Sequence, residues 1–259
     1  DVQGAVLLTG FSLLLGFNQV VIKISNGGFQ PVFQAGLRSL FALIFLAIWM
    51  KWRKIPLVPR ADNFWPGLFI GLLFAVEFIC LFVALDHTTV ARSSIMFYSM
   101  PVWLAIAAHF LLPNESLSGV RLVGLIIAMV GVAWAMTSRS TTGSASLYGD
   151  LLALCAAFGW GGVALTVRLS KLSRERPETQ LFVQLLVSAP VLLFASLWFG
   201  DWIREPTWIS YAGLFFQSIA VASFGFLLWF WIMTIYPASS VASFSFLSPV
   251  FSVTLGWLI

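Results

Sequence analysis

Residues 206–259 contain no Asp, Glu, Lys or Arg. No soluble surface is built from 54 uncharged, mostly apolar residues. As one helix the run would be about 81 Å long, whereas a bilayer's hydrocarbon core is crossed in about 30 Å. The run must therefore turn back on itself. Tyr236-Pro237-Ala238-Ser239-Ser240 is the only turn-like break in it, which makes two spans joined by a tight loop. The rest of the chain is similar, 60% hydrophobic and 9% charged, against about 25% charged in soluble domains. The sequence specifies an all-α, polytopic membrane protein.

At roughly 20 residues per crossing, the apolar runs divide into nine spans: 4–24, 31–50, 64–85, 88–112, 120–137, 147–169, 180–199, 209–235 and 238–259. Val2–Ile22 has no basic leader and no small-residue cleavage pattern, so it reads as the first span. Basic residues gather in two loops. Lys51, Arg53, Lys54 and Arg60 surround 52–63, and Lys171, Arg174 and Arg176 lie in 170–178, whereas 25–30 has none and 138–146 and 200–206 have one each. With this span count the two basic loops share a side. The positive-inside rule makes that side cytoplasmic and places the N-terminus there as well.

A shift of 148 positions carries Tyr98, Pro101, Val102 and Trp103 onto Phe246, Pro249, Val250 and Phe251. Gly16-Phe17-Asn18-Gln19-Val20 similarly resembles Gly159-Trp160-Gly161-Gly162-Val163. These echoes suggest two repeats, 1–137 and 147–259, joined by 138–146. Five helices per repeat would make the second enter the membrane from the opposite side, an inverted repeat of the kind from which alternating access is built. On that scheme the ten-helix (5+5) fold is truncated here, with about one span expected beyond Ile259. Pro101 and Pro249 each remove a helical hydrogen bond in equivalent spans, as candidate helix breaks or gates.

The segment TTVARSSIMFYSMPVWLAIAAHFLLPNESLSGVRLVGLIIAMVGV, with LLWFWIMTIYPASSVASFSFLSPVFSVTLGWLI as its partner, resembles the drug/metabolite transporter superfamily in its EamA-type ten-helix exporters. The usual Gly-Glu exit of the fourth helix is replaced by Pro113-Asn114-Glu115, and the second exit is absent. Ala75-Val76-Glu77-Phe78-Ile79-Cys80 is further similar to the aromatic amino acid exporters of that superfamily. The resemblance implies a multi-pass protein of the bacterial inner membrane. It would export small amphipathic metabolites, amino acids with an aromatic preference foremost, from a cavity between the repeats. Sugars, quaternary amines or a channel-like facilitator are the alternatives.

Four residues stand out as candidate substrate contacts. Glu77 is a carboxylate in mid-span, costing about 2.5–3.5 kcal/mol on insertion scales, so it faces a cavity or a partner: substrate, proton, or a static pair with Arg38, Lys23 or a serine. Asn18 can hold a carboxylate or an amine, or simply bridge helices. Tyr98 and Trp160 are mid-span aromatics in helices that the repeat places centrally. The glycines around Trp160 either clear space for a ligand or let helices approach closely. Arg38 reads as a snorkelling or paired cation and Lys23 as an interfacial anchor. Trp52, Trp65, Trp202 and Trp208 form aromatic belts.

Cys80 and Cys155 read as packing residues. No histidine has a partner at metal-ligand spacing, and no G-x-S-x-G or Gly-Lys-Ser phosphate loop occurs. The expectation is therefore no catalytic residue, cofactor or metal. The expected partners are a small-molecule substrate and the lipid bilayer, without nucleic acid, in a monomer or loose dimer.

Overall fold

The computed structural model describes residues 2–57, 59–112, 146–235 and 247–258, with isolated positions 119–120, 123–124, 126–127, 130–131 and 134. Helix α1 (Val2–Asn26) is followed by α2 (Pro31–Trp52) and, after a 3₁₀ turn at Ala61–Asn63, by α3 (Phe64–His87). Helices α4 (Val90–Phe97) and α5 (Met100–Leu111) are two pieces of one crossing. Then come α6 (Leu147–Leu169) and α7 (Pro177–Ala195), which a 3₁₀ turn prolongs over Ser196–Trp198. Helix α8 (Trp208–Phe216) runs through a π-helical segment (Gln217–Gly225) into α9 (Phe226–Ile235), and α10 (Leu247–Leu258) closes the order. Among the described residues no strand is formed, and seven helical runs are long and apolar enough to cross a membrane. They match seven of the nine expected spans. The expected span 120–137 lies mostly outside the described residues, and 238–259 is described as helix only over 247–258.

Short-range chemistry sets the helix starts. Proline occupies the first turn of both α2 (Pro31) and α7 (Pro177), where its missing N–H costs nothing. The Gln30 side chain caps α2 by accepting from Phe33 N at 2.7 Å. Ser146 caps α6 through Gly149 N at 3.0 Å, and Thr207 begins α8 with a capping box to Ser210.

Small residues set how closely the helices approach. A Cβ on Gly159 would lie 3.0 Å from the Cβ of Glu77, so α6 rests against the α3 backbone there. Gly67 and Gly71 of α3 receive Val183 and Val187 of α7. Gly16 of α1 meets Ser248, Phe251 and Ser252 of α10. Such contacts let van der Waals packing and interhelical hydrogen bonds hold helices together where lipid offers no hydrophobic drive.

The pairing of elements follows a pattern. Helix α3 lies along α6, and α1 lies along α8 and the π segment; the α4–α5 crossing packs on α6, and α10 packs on α1. Helix α3 also meets α7 while the π segment meets α2, and α2 and α7 pack on each other. Among the described residues, these main contacts between 1–137 and 147–259 come in pairs that exchange the two segments.

Loops gather at two ends. At one, Lys171 pairs with Asp62 at 2.7 Å and Asn63 Nδ2 donates to Glu175 at 2.7 Å, so the two basic loops sit together. At the other, Gln30 N donates to Trp202 O at 3.0 Å and Arg204 forms a two-pronged pair with Asp86. Trp52, Trp65, Trp202 and Trp208 are all exposed near helix ends, where aromatic belts lie.

Candidate functional site

The crossing made by α4 and α5 is interrupted at Tyr98 and Ser99. Pro101 offers no N–H to the carbonyl of Phe97, and the chain turns before α5 resumes at Met100. Local hydrogen bonds absorb the interruption: Ser99 Oγ donates to Met96 O at 2.6 Å, and Trp103 Nε1 donates to Ser99 Oγ at 2.9 Å. Tyr98, at the break, is buried. Its ring meets Trp160 edge-on at 6.3 Å, and Phe97 stacks on Trp160 at 5.1 Å with the planes 17° apart. The Tyr98 hydroxyl faces the side chains of Gln19 and Ser248. Gln19 Oε1 and Ser248 Oγ themselves have no hydrogen-bond partner.

Glu77 lies one position along α6 from that ring, opposite Gly159. It is 3% exposed, and its Oε2 has no hydrogen-bond partner. The charged group it senses is Arg38 of α2, yet the two are not within ion-pair distance. Arg38 is itself 2% exposed, and its guanidinium carbon sits 4.3 Å over the Phe78 ring. This corrects the snorkelling reading: the side chain turns inward and is held by a cation–π contact, which gains strength when desolvated. Lys23 is anchored near the end of α1. Its ammonium donates to the carbonyls of Leu85 (2.8 Å) and Thr88 (2.7 Å) where α3 ends, close to the loops at that end of the bundle.

Those bonds, with Asn26 Nδ2 to Phe82 O at 3.0 Å, bring the C-terminal ends of α1 and α3 together. Asn18 precedes Asn26 by eight residues and Glu77 precedes Phe82 by five. At about 1.5 Å per residue the two lie within roughly one turn of the same depth. Asn18 is buried, and its Oδ1 lacks a partner.

Buried side-chain atoms without a hydrogen-bond partner are spread over several helices, with Asn26 Oδ1 and Asn63 Oδ1 near opposite ends of the bundle. Asn18 Oδ1, Gln19 Oε1, Glu77 Oε2, Ser93 Oγ, Ser94 Oγ and Ser248 Oγ lie on α1, α3, α4 and α10, and Gln34, Arg38 and Ser188 contribute others on α2 and α7. Buried polar groups in proteins are ordinarily satisfied, and unpaired ones inside a membrane are costly. Of these, Gln19 and Ser248 lie near the Tyr98 hydroxyl at the break. Pro249 sits in the first turn of α10, one residue from Ser248; the chain before Leu247 lies outside the described residues.

The glycines beside Trp160 resolve in favour of close packing. Gly159 faces Glu77, Gly162 meets Leu73 at 3.2 Å, and Gly161 lies 3.7 Å from Met100. Cys155 is exposed on the outer face of α6, so it does not pack the interior as expected.

Two features escaped the sequence reading. Phe97 was one of 25 phenylalanines, and only its stacking on Trp160 marks it. Asp150 is completely buried, accepts from Thr88 Oγ1 at 2.8 Å and forms an ion pair with Arg92, tying α6 to the start of α4. Its place near the end of an apolar run had concealed it. Among the described residues no group of three or more His, Cys, Asp or Glu converges to hold a metal.

Helices of spanning length around buried charged and amide groups define a multi-pass membrane protein with a polar interior. The chain belongs to the EamA-like transporter family, whose model matches residues 2–137 and 147–259. It is similar to the uncharacterised transporter YoaV of Bacillus subtilis, 22% identical over 95% of this chain and 85% of that protein. It is also similar to YvbV of the same organism, 28% identical over 96% and 81% respectively. A probable amino-acid metabolite efflux pump of Escherichia coli is 27% identical over 56% of this chain and 46% of that protein. A solved crystal structure superposes with a TM-score of 0.71 at 19% identity, covering 96% of this chain and 85% of the other, which is a likeness of fold.

Proposed function

We propose that this transporter exports small amphipathic metabolites, most specifically amino acids with an aromatic preference, by alternating access across the bacterial inner membrane. Its halves are repeats of opposite orientation, five helices in 1–137 and the first four of the second repeat in 147–259, and the N-terminus is cytoplasmic. The cross-half pairing of helices supports the repeat, because the main contacts recur when the halves are exchanged. The clustering of both basic loops at one end supports the orientation. The amino-acid reading draws on the efflux pump similarity.

One observation carries the site. Glu77 is buried with an unpaired oxygen and packs against Gly159, the α6 residue that precedes Trp160. Glu77 and Asn18 receive the ammonium group, and Trp160, Tyr98 and Phe97 receive an apolar or aromatic side chain. The break before Pro101, with Pro249 in the equivalent helix, gives the flanking halves a place to bend. A carboxylate at this depth also suits proton exchange.

The test is uptake into proteoliposomes with a panel of amino acids, sugars and quaternary amines, with and without an imposed pH gradient. Flux of aromatic amino acids above aliphatic ones is expected. Flux of sugars or quaternary amines with none for any amino acid refutes the substrate assignment, and the pH gradient separates exchange from facilitation.

A further inference from the structure

At the end where the two basic loops meet, a pocket of about 340 Å³ opens between the halves, away from the interior site around Glu77. Its wall includes Pro56 and Arg60 from the first half and Arg174, Glu175, Arg176 and Thr179 from the second. The three guanidinium groups are exposed, and none of them forms a salt bridge among the described residues. The lone carboxylate is already occupied: Glu175 Oε1 accepts from Arg60 N at 3.1 Å and from Asn63 Nδ2 at 2.7 Å. The concavity is therefore lined by three arginines against one carboxylate, whose Oε1 is held by Arg60 N and Asn63 Nδ2.

The wall is also held in shape. Thr179 Oγ1 donates to Pro56 O across the halves at 3.2 Å. Gln180 Nε2 clamps the carbonyls of Leu172 (2.9 Å) and Glu175 (3.1 Å), and Lys171 pairs with Asp62. A basic loop that served only to orient the chain would need no preformed concavity, since the positive-inside effect depends on charge count and position. Here three arginines from two distant segments line one space. Arginine's planar fork matches the oxygens of phosphate, often in bidentate fashion. Trp52, Phe64 and Trp65, all exposed at the same end, mark the depth at which headgroups lie.

The geometry points to a phosphate-binding site formed by Arg60, Arg174 and Arg176 between the loops of the two halves. The phosphate is that of an anionic phospholipid headgroup in the adjoining leaflet or of a soluble phosphoanion. Because it contacts both halves, a bound phosphate bridges them at this end. The site is independent of the interior site around Glu77 and does not rest on its assignment.

The experiment uses the full chain in nanodiscs or detergent with three probes: phosphatidylglycerol, phosphatidylcholine and inorganic phosphate. Retained lipid is read by native mass spectrometry and phosphate binding by calorimetry. The test variant is Arg60→Gln/Arg174→Gln/Arg176→Gln. A charge-matched control, Lys51→Gln/Arg53→Gln/Lys54→Gln, removes three neighbouring cations from outside the pocket. A basic residue near an anionic surface contributes about fivefold to binding, so the control, which removes three, is expected to lose on the order of 10²-fold. The pocket variant is expected to lose at least tenfold more phosphatidylglycerol than the control, with phosphatidylcholine unaffected. Loss of inorganic phosphate binding confined to the pocket variant, without lipid discrimination, supports the site with a soluble ligand. Arg174→Gln/Arg176→Gln serves as a second variant should the triple one express poorly. Equal losses in pocket and control variants, or no phosphate or phosphatidylglycerol binding to the parent protein, overturn the proposal.

Discussion

Removing the cation of the Arg92–Asp150 pair tests whether that contact locks α4 to α6. The Asp150 side chain is completely buried and the Arg92 side chain is 13% exposed. The carboxylate accepts from Arg92 Nε at 2.9 Å, from its Nη2, and from Thr88 Oγ1 at 2.8 Å. Arg92→Leu leaves an ionised carboxylate with one hydroxyl for company, a loss of about 3–5 kcal/mol by analogy with broken buried pairs. Asp150→Asn keeps an acceptor for Thr88 and removes the charge. It costs about 1–3 kcal/mol, the usual penalty for imperfect satisfaction. Arg92→Leu/Asp150→Leu removes both charges together and strands only the Thr88 hydroxyl. Its loss is expected near 1 kcal/mol, smaller than that of Arg92→Leu alone.

Thermal unfolding of the purified variants in one detergent is the assay. For a chain of this size each kcal/mol moves Tm by about 2–4 °C, so Arg92→Leu should lower it by roughly 6–20 °C and the second change should restore much of the loss. Losses that add to within about 0.5 kcal/mol, the behaviour of independent sites, would refute the lock.

Glu77→Gln is expected to preserve expression and fold, because the Oε2 it alters has no partner, and to reduce transport of every amino acid alike; wild-type flux would remove the carboxylate from the mechanism. Trp160→Ala removes the ring that Phe97 and Tyr98 contact. A ring pair contributes about 0.5–1.5 kcal/mol beyond its area, so phenylalanine transport should weaken up to roughly tenfold more than threonine transport, and equal losses would make the ring a packing element only. With Cys80 and Cys155 replaced, a membrane-impermeant thiol reagent applied to intact cells should label Asp201→Cys and miss Ser173→Cys, and the reverse pattern would invert the topology.

Much of this molecule is legible from charge and length. Apolar runs of about 20 residues, divided where Lys, Arg or a Pro-containing turn appears, fix the spans because an unsatisfied backbone cannot sit in hydrocarbon. The same charges put the loops at 52–63 and 170–178 together, and the structure joins them through Asn63 and Glu175. Pro101 could be read as a break from its missing N–H alone. Glu77 announced itself as a lone carboxylate in an apolar run.

What the sequence could not supply is the rotation of each helix about its own axis. In a soluble helix a polar face marks the outside, but here the lipid-facing and the packed surfaces are both apolar, so no period distinguishes them. Hence Arg38 was free to be read as reaching for the interface, whereas packing turns it over Phe78. Phe97 gains meaning only because the break at Tyr98 sets its ring on Trp160. Gly159, equally suited to making room or closing a gap, closes one because α3 presents Glu77 at that height. Asp150 and Arg92 stand 58 residues apart, and their pairing exists only once α6 is laid against α4, a decision made by tertiary packing.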